Sequence, residues 1–308
     1  MTLENIVTHS IAIIVLNYNS YSDTMECIGS LQKTIPVEKV DYQIIVVDNH
    51  STDNSFDLLQ KALPESVILL QSSRNAGYAY GNNVGIKYAV EHGAEFICIL
   101  NNDTICTEDF LSPCIELLNS DDRAAFVGPM LMNYKNDLVQ STGGRLSIVK
   151  GKCSGLNENV PLSSILEDII ACDVVFGAAM VFKSSIVQVI GLIPENYFLF
   201  YEETEWCCRA KRAGYVNCIT TKARIIHKRS ESLKNLSEMQ RYLMDRNRVL
   251  FVKRNGTPGQ FLCFLFFNFG RLLYRALFHR IPLMEYLKYF IDGLVERFDP
   301  RFVKIMED

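Results

Sequence analysis

No glycine-rich phosphate loop opens this chain of 308 residues. The first apolar run ends in Asn17-Tyr18-Asn19-Ser20, where a dehydrogenase-type dinucleotide fold requires G-x-G-x-x-G, and G-x-x-x-x-G-K-[ST] occurs nowhere. The same loop excludes the glycine-rich basic turn that a sugar-phosphate nucleotidyltransferase needs. The ten cysteines form no C-x-x-C pair and no His/Cys zinc pattern. They are therefore expected to be reduced, mostly buried fillers of a cytoplasmic protein. There is no basic surplus either. Lys and Arg number 31 against 35 Asp and Glu, a net charge of −4 that argues against a nucleic-acid partner. Met1-Thr2-Leu3-Glu4-Asn5 lacks a basic n-region, and Ile11–Leu16 is too short for a signal peptide or a membrane span. Tryptophan occurs once, at Trp206.

What is present is a globular composition, 48% apolar and 21% charged, long enough for one large domain or one and a half. β-branched-rich runs recur at Ile11–Leu16, Gln43–Val47, Val67–Leu70, Phe96–Leu100 and Ala124–Val127. They do not alternate, which predicts strands buried on both faces. Helical patterns fall between them at Asp23–Lys33, Asn54–Ala62, Tyr78–Glu91 and Glu108–Leu118, with Ser51 or Asp53 as the expected cap of the second and Thr107 of the fourth. This order predicts an α/β fold of right-handed βαβ units on a mainly parallel sheet. Each of the first four runs is followed by polar residues: Asn17-Tyr18-Asn19, Asp48-Asn49-His50-Ser51, Ser73-Arg74-Asn75-Ala76-Gly77 and Asn101-Asn102-Asp103. Four polar strand ends on one side mark the ligand crevice of an open α/β sheet.

The second half is less regular. Gln140–Arg145 reads as a turn between short strands, and 151–164 as a loop. A strand-like run at Ile169–Phe176 leads to Gly177-Ala178-Ala179, small enough for close approach of a substrate or of another chain segment. A short helix at Lys183–Ile190 follows. Strands are expected at Val216–Ile219 and Ala223–Ile226, and a helix at Leu236–Lys253. The last fifty residues are aromatic and basic, with Arg271, Arg275, His279 and Arg280 at helical spacing among leucines. They fit either an amphipathic helix in a membrane interface or a hairpin that packs on the main domain or a second copy.

The most suggestive stretch is Phe198-Leu199-Phe200-Tyr201-Glu202-Glu203-Thr204-Glu205-Trp206, three carboxylates directly behind an apolar wall. A helix start favours their ionisation, while mutual repulsion and the wall oppose it. The bland account is an acidic first turn with Glu205 and Arg209 as a surface pair. Trp206 suits either a sugar face or the core. Asp103, at a strand end beside the crevice, is a natural ligand for Mg²⁺ or Mn²⁺ shared with phosphate oxygens, or else a helix cap. His227, after a strand, is either structural or part of that site.

Val15-Leu16-Asn17-Tyr18-Asn19, Val46-Val47-Asp48-Asn49-His50-Ser51-Thr52-Asp53, Asn75-Ala76-Gly77-Tyr78, Leu100-Asn101-Asn102-Asp103, Phe200–Arg209 and Arg246-Asn247-Arg248 stand in one order over about residues 10–250. Together they resemble the family 2 inverting glycosyltransferases of GT-A fold, in their rhamnosyltransferase-like branch. The resemblance implies a Rossmann-like GT-A domain over 1–230, with a nucleotide-sugar-binding half at 10–130 and an acceptor half at 131–230. A C-terminal helical region over 231–308 would touch a membrane or form a dimer. It implies Asn17 and Asn19 at the base and ribose, Asp48 accepting from a pyrimidine N3–H, and Arg74 and Asn75 at the nucleotide end. Asn101-Asn102-Asp103 takes the place of an Asp-x-Asp motif. Asn101 replaces the first Asp, so Asp103 would hold the metal nearly alone, with His227 as the late metal- or phosphate-contacting histidine. Glu202-Glu203 takes the place of a Glu-Asp pair, which makes Glu203 the expected base and Glu202 the runner-up. Trp206, Arg246 and Asn247 fall to the acceptor side.

The expected activity is metal-assisted inverting transfer of a sugar, rhamnose from dTDP-rhamnose or a hexose from a UDP donor, to a cell-surface glycan or lipid-linked acceptor. The expected location is the cytoplasm or the inner face of the plasma membrane. The competing reading is a nucleotide-sugar-binding scaffold subunit without catalysis, which only the Asn101 replacement favours.

Overall fold

The computed structural model describes residues 9–35, 40–228, 237–278 and 283–307. Its first part alternates strictly: β1 (His9–Asn17), α1 (Tyr21–Thr34), β2 (Val40–Asp48), α2 (Ser55–Ala62), β3 (Val67–Gln71), α3 (Tyr78–Glu91) and β4 (Phe96–Asn101). These strands pair in parallel in the order β3-β2-β1-β4. The lack of alternation has a direct cause. Ile11, Ile13 and Val15 of β1 enter one apolar core, Ala12 and Ile14 enter the core on the other face, and both faces are covered by helices. The register brings the polar strand ends level, Asn17 opposite Asp48, Asp48 opposite Gln71, and Leu16 opposite Asn101.

The chain continues with β5 (Thr104–Cys106), α4 (Leu111–Ser120), β6 (Ala124–Asn133), β7 (Leu138–Ser141), β8 (Gly144–Ser147), β9 (Lys152–Gly155), β10 (Val160–Pro161), β11 (Ile169–Cys172) and β12 (Ala179–Lys183). Then come α5 (Ile186–Ile190), α6 (Glu202–Arg212), β13 (Val216–His227), α7 (Glu238–Asn255), α8 (Pro258–Phe278), α9 (Leu283–Val295) and α10 (Pro300–Glu307). β12 inserts antiparallel between β4 and β6, so the sheet is mixed beyond its parallel half. β13 runs parallel to β6 and antiparallel to β5, which sets His227 opposite Thr104 and thus beside Asp103.

Several boundaries differ from those expected. The fourth helix starts at Leu111, not Glu108, because Asp109 Oδ1 accepts the backbone N–H groups of Leu111 and Ser112, both at 3.1 Å. Thr107 is not the cap, and Glu108 instead binds Arg224 through two hydrogen bonds. For α2 it is Asp53, not Ser51, whose carboxylate accepts from Ser55 N at 2.8 Å. The expected loop at 151–164 holds β9 and β10, and the run Ile169–Phe176 is strand only to Cys172. The helix expected from Lys183 begins at Ile186. The two strands expected after Gly214 are one, β13, with a register shift between Thr220 and Arg224. α7 begins behind a capping box of Ser237 and Gln240; the expected start at Leu236 lies outside the described residues. All ten cysteines are free, and eight of them are buried.

Among the described residues no helix is long and apolar enough to cross a membrane. Of the tail's basic positions, Arg271 binds Asp245 at 2.6 Å. The Arg275 side chain, His279 and Arg280 lie outside the described residues.

Trp206 belongs to the core and not to a sugar-binding surface. It is 0% exposed, its ring lies 4.5 Å from Phe126 and 5.1 Å from Phe182, and its indole N–H donates to Gly191 O at 2.9 Å. It ties α6 to the sheet. Trp206→Ala is therefore expected to lower folding stability by about 3–5 kcal/mol, read by denaturant titration; a kinetic defect at unchanged stability would contradict this placement.

Candidate active site

A cleft of about 610 Å³ opens where β4, β6, β7 and β13 end, closed on one side by the segment before α6. Of the residues expected from the sequence, Asn101, Glu202, Glu203 and His227 line it. Asp103 stands just behind, its Oδ1 3.3 Å from His227 Nε2. Asn17, Asn19, Asp48, Arg74 and Asn75 gather instead at the ends of β1, β2 and β3, beyond the lining of this cleft.

That second cluster is largely self-satisfied. Asp48 is fully buried; its Oδ2 accepts from Asn17 Nδ2 at 2.8 Å and from Ser51 Oγ at 2.6 Å, and its Oδ1 from Ser51 N at 2.9 Å. Asn17 Oδ1 accepts from Thr24 Oγ1, and Asn19 Oδ1 from the backbone of Thr52 and Asp53. Asn75 Oδ1 accepts from Gly77 N and Asn49 Nδ2. The Arg74 guanidinium lies 5.8 Å from the Tyr80 ring. Asn102 turns away from the cleft and donates to Thr24 Oγ1 at 2.9 Å.

The carboxylate pair sits at the start of α6, behind a strained turn. Phe198, Phe200 and Tyr201 all have positive φ, at 65°, 71° and 78°. Each such residue costs on the order of 1–3 kcal/mol and persists only where its surroundings enforce it. Here the enforcement comes from Asn247. Its Nδ2 donates to Tyr197 O at 2.9 Å, Leu199 O at 2.8 Å and Phe200 O at 3.1 Å. Arg246, 1% exposed, holds that amide in turn through Asn247 Oδ1 at 2.7 Å and lies over the Phe298 ring at 4.0 Å. The far side of the turn is pinned by Tyr78 N, which donates to Phe198 O at 2.8 Å, and by Tyr201 OH, which donates to Gly151 O. A Cβ at Gly77 would stand 2.0 Å from Phe198 O, so only glycine admits this approach. Arg246 and Asn247, expected on the acceptor side, are buried and act on the turn rather than line the cleft.

Burial decides the electrostatics. Glu202 is 2% exposed, and its Oε2 has no hydrogen-bond partner. Desolvation, then the neighbouring Glu203 charge, holds it well above the usual carboxylate range. Glu203 is half-buried and raised as well, by desolvation. The helix dipole does not overcome these effects. Glu205 behaves oppositely. Burial pushes it up, yet hydrogen bonds from Tyr197 and Arg209 and the Arg254 charge leave it below its ordinary value. The Glu205–Arg209 pair expected at the surface is thus the edge of a buried network that also includes Asn255.

Four lining groups went unmarked by sequence reasoning. Tyr78 OH donates to Gly177 O at 2.8 Å, which explains the small residues there: a Cβ on Gly177 would meet that hydroxyl at 2.5 Å. Lys228 binds Asp23 and Glu26. Gln140 Nε2 lies 3.2 Å from His227 Nδ1 while its Oε1 is buried without a partner. Phe176 adds an apolar wall. Gln140 and Tyr78 have no local signal, since the partners they meet, His227 and Gly177, lie 87 and 99 residues away.

The Asp103–His227 pair suits a divalent cation by its chemistry, one carboxylate and one imidazole at the cleft edge. Among the described residues no group of three or more His, Cys, Asp or Glu is arranged to hold a metal, so substrate oxygens and water would complete the shell. The orphaned Gln140 Oε1 fits as well. With the amide turned over, it accepts Nδ1–H of His227 and leaves the Nε2 lone pair facing Asp103.

The family described as glycosyl transferase family 2 matches residues 12–182, more than half of the chain. The chain is 25% identical over 223 residues to a dTDP-rhamnosyl transferase of Shigella flexneri, covering 70% of this chain and 72% of that one. It is 26% identical over 255 residues to a low-salt glycan biosynthesis hexosyltransferase of Haloferax volcanii, covering 78% and 74%. A mannosyltransferase from Pyrobaculum calidifontis, solved in complex with GDP-Man and Mn²⁺, superposes with a TM-score of 0.56 at 15% identity over 96% of this chain and 83% of that one. The GT-A arrangement expected from the motifs is the fold of such neighbours.

Asn247→Ala removes all three bonds to the turn. It is expected to destabilise the fold by about 1–3 kcal/mol and to lower kcat while donor Kd, read by calorimetry, stays the same. A raised donor Kd with intact kcat would assign Asn247 to binding instead.

Proposed function

The chain belongs to glycosyl transferase family 2, and we propose that within it the protein transfers rhamnose, from dTDP-rhamnose, with inversion to a hydroxyl of a cell-surface or lipid-linked glycan. The observation that carries this reading is the Glu202-Glu203 pair, one buried and one half-buried, which lines the same cleft as Asn101 and His227, with Asp103 beside that histidine. The donor's diphosphate belongs at Asp103, His227 and Lys228, and its nucleoside at the β1–β3 ends near Asn17, Asn19, Asp48, Arg74 and Asn75. In this division residues 10–130 carry the donor, 131–230 receive the acceptor, and 231–308 form a helical region.

Glu203 is the base. It is the more exposed of the pair, so it releases its proton first, and its charge keeps Glu202 protonated beside it. The acceptor hydroxyl gives its proton to Glu203 as its oxygen bonds to the anomeric carbon, and the bond from that carbon to the diphosphate breaks on the opposite face. Lys228 offers positive charge on the leaving side. Mg²⁺ or Mn²⁺, held by Asp103 and His227, would supply further charge stabilisation of the leaving diphosphate. The Mn²⁺ and GDP-Man of the Pyrobaculum mannosyltransferase support a divalent ion and a nucleotide sugar.

Rhamnose is favoured by the Shigella relative. A hexose donor is the second reading, favoured by the Haloferax relative. Purified protein with Mg²⁺ or Mn²⁺ and a panel of dTDP-, UDP- and GDP-sugars is expected to show its strongest thermal stabilisation with dTDP-rhamnose. A UDP-hexose preference would select the second reading. Glu203→Gln is expected to abolish transfer with donor binding intact; unchanged turnover would move the base to Glu202, and donor binding without transfer by any form would make the chain a binding subunit.

A further inference from the structure

Outside the lining of the cleft, the exposed apolar surface is distributed very unevenly. Among the described residues, twelve of nineteen exposed large apolar side chains lie between Leu262 and Val295. Leu262, Phe266, Phe269, Leu273 and Leu277 form a stripe at helical spacing along α8, with Phe266 73% and Leu277 75% exposed. Met284, Leu287, Ile291 and Val295 form another along α9. A patch of this extent on a monomer marks an interaction surface.

Beside the α8 stripe lies a separate pocket of about 240 Å³. Lys150, Lys152, Arg248 and Arg271 converge on it with Asn268, and Phe267, itself 55% exposed, links it to the apolar face. Arg248 and Arg271 are fixed from behind by Tyr201 and Asp245. Lys150 and Lys152 are exposed. Four cations gather here although the chain as a whole carries a net charge of −4. A pocket of this size and sign suits a phosphate group, and its aromatic rim suits the boundary between headgroups and acyl chains.

We propose that the α8–α9 face lies in the interface of an anionic lipid bilayer, with the Lys150–Lys152–Arg248–Arg271 pocket taking the phosphate of a lipid headgroup. A twofold contact with a second copy would set two such cationic pockets in one interface, where like charge opposes it. A bilayer with anionic lipid offers what both halves of the surface lack, apolar depth and negative charge. The inference is independent of the donor sugar and can fail while transfer persists.

The test is flotation of the full chain with vesicles of phosphatidylcholine alone and of phosphatidylcholine with phosphatidylglycerol. Binding is expected only to the anionic vesicles and is expected to fall with added salt. Lys150→Ala with Lys152→Ala is expected to weaken it about 30-fold, each lysine near an anionic surface contributing a factor of about five. Phe266→Ser with Phe269→Ser is expected to abolish it without changing thermal unfolding, since both rings are exposed. Equal binding to the neutral vesicles, or none to either, would overturn the proposal. So would a dimer by light scattering that the phenylalanine changes dissociate, in place of lipid binding.

Discussion

One carboxamide holds the side of this molecule that borders the cleft in shape. Asn247 reaches from α7 to the carbonyls of Tyr197, Leu199 and Phe200 in the turn before α6, where three non-glycine residues have positive φ. Without such bonds the turn would relax, since its backbone conformation is unfavourable on its own. With them, the chain enters α6 at an angle that points Glu202 and Glu203 into the cleft and leaves Trp206 facing the core. Gly77 and Tyr78 grip the other side of the same turn, so the start of α3 and the α6 segment meet across one backbone contact.

That geometry has an electrostatic consequence. Glu202 is taken out of water and Glu203 partly so, and one oxygen of Glu202 is left unbonded. Both groups hold their protons more tightly when folded than when unfolded. The sign follows from linkage: the pair's contribution to stability is fully present below the ordinary carboxylate pKa and is lost as pH rises through the raised folded values. The neighbouring Glu205 is satisfied by Tyr197, Arg209, Arg254 and Asn255, and its lowered pKa adds stability in the opposite direction, present above its ordinary value and lost as pH falls. A stable ionic network thus stands one turn from a destabilised pair.

The parallel half of the sheet was legible in the sequence because each strand there is buried on both faces and each polar strand end is local. Asn17, Asp48 and Asn101 could be read as neighbours from spacing alone. Where β12 inserts antiparallel and β13 runs on as one strand, local pattern gave the wrong number of strands, since β13 keeps its pairing with β6 across a register shift between Thr220 and Arg224. Gln140 and Lys228 carried no signal for the same reason: what they touch is fixed by register over long separations. Trp206 was ambiguous because an aromatic residue at helical spacing reads alike for a sugar platform and for a core, and only packing on Phe126 and Phe182 separates them. Asn247 stood inside a recognisable motif, yet its three carbonyl partners could not be read from it.

The pH dependence of turnover tests the account most directly, measured at saturating donor and acceptor for the unaltered chain and for Glu202→Gln. If half-buried Glu203 must ionise to take the acceptor proton, activity rises with pH along a limb whose midpoint lies above the ordinary value of 4.5, and the limb is present in both proteins. A midpoint at the ordinary carboxylate value, or loss of the limb in Glu202→Gln, would contradict it.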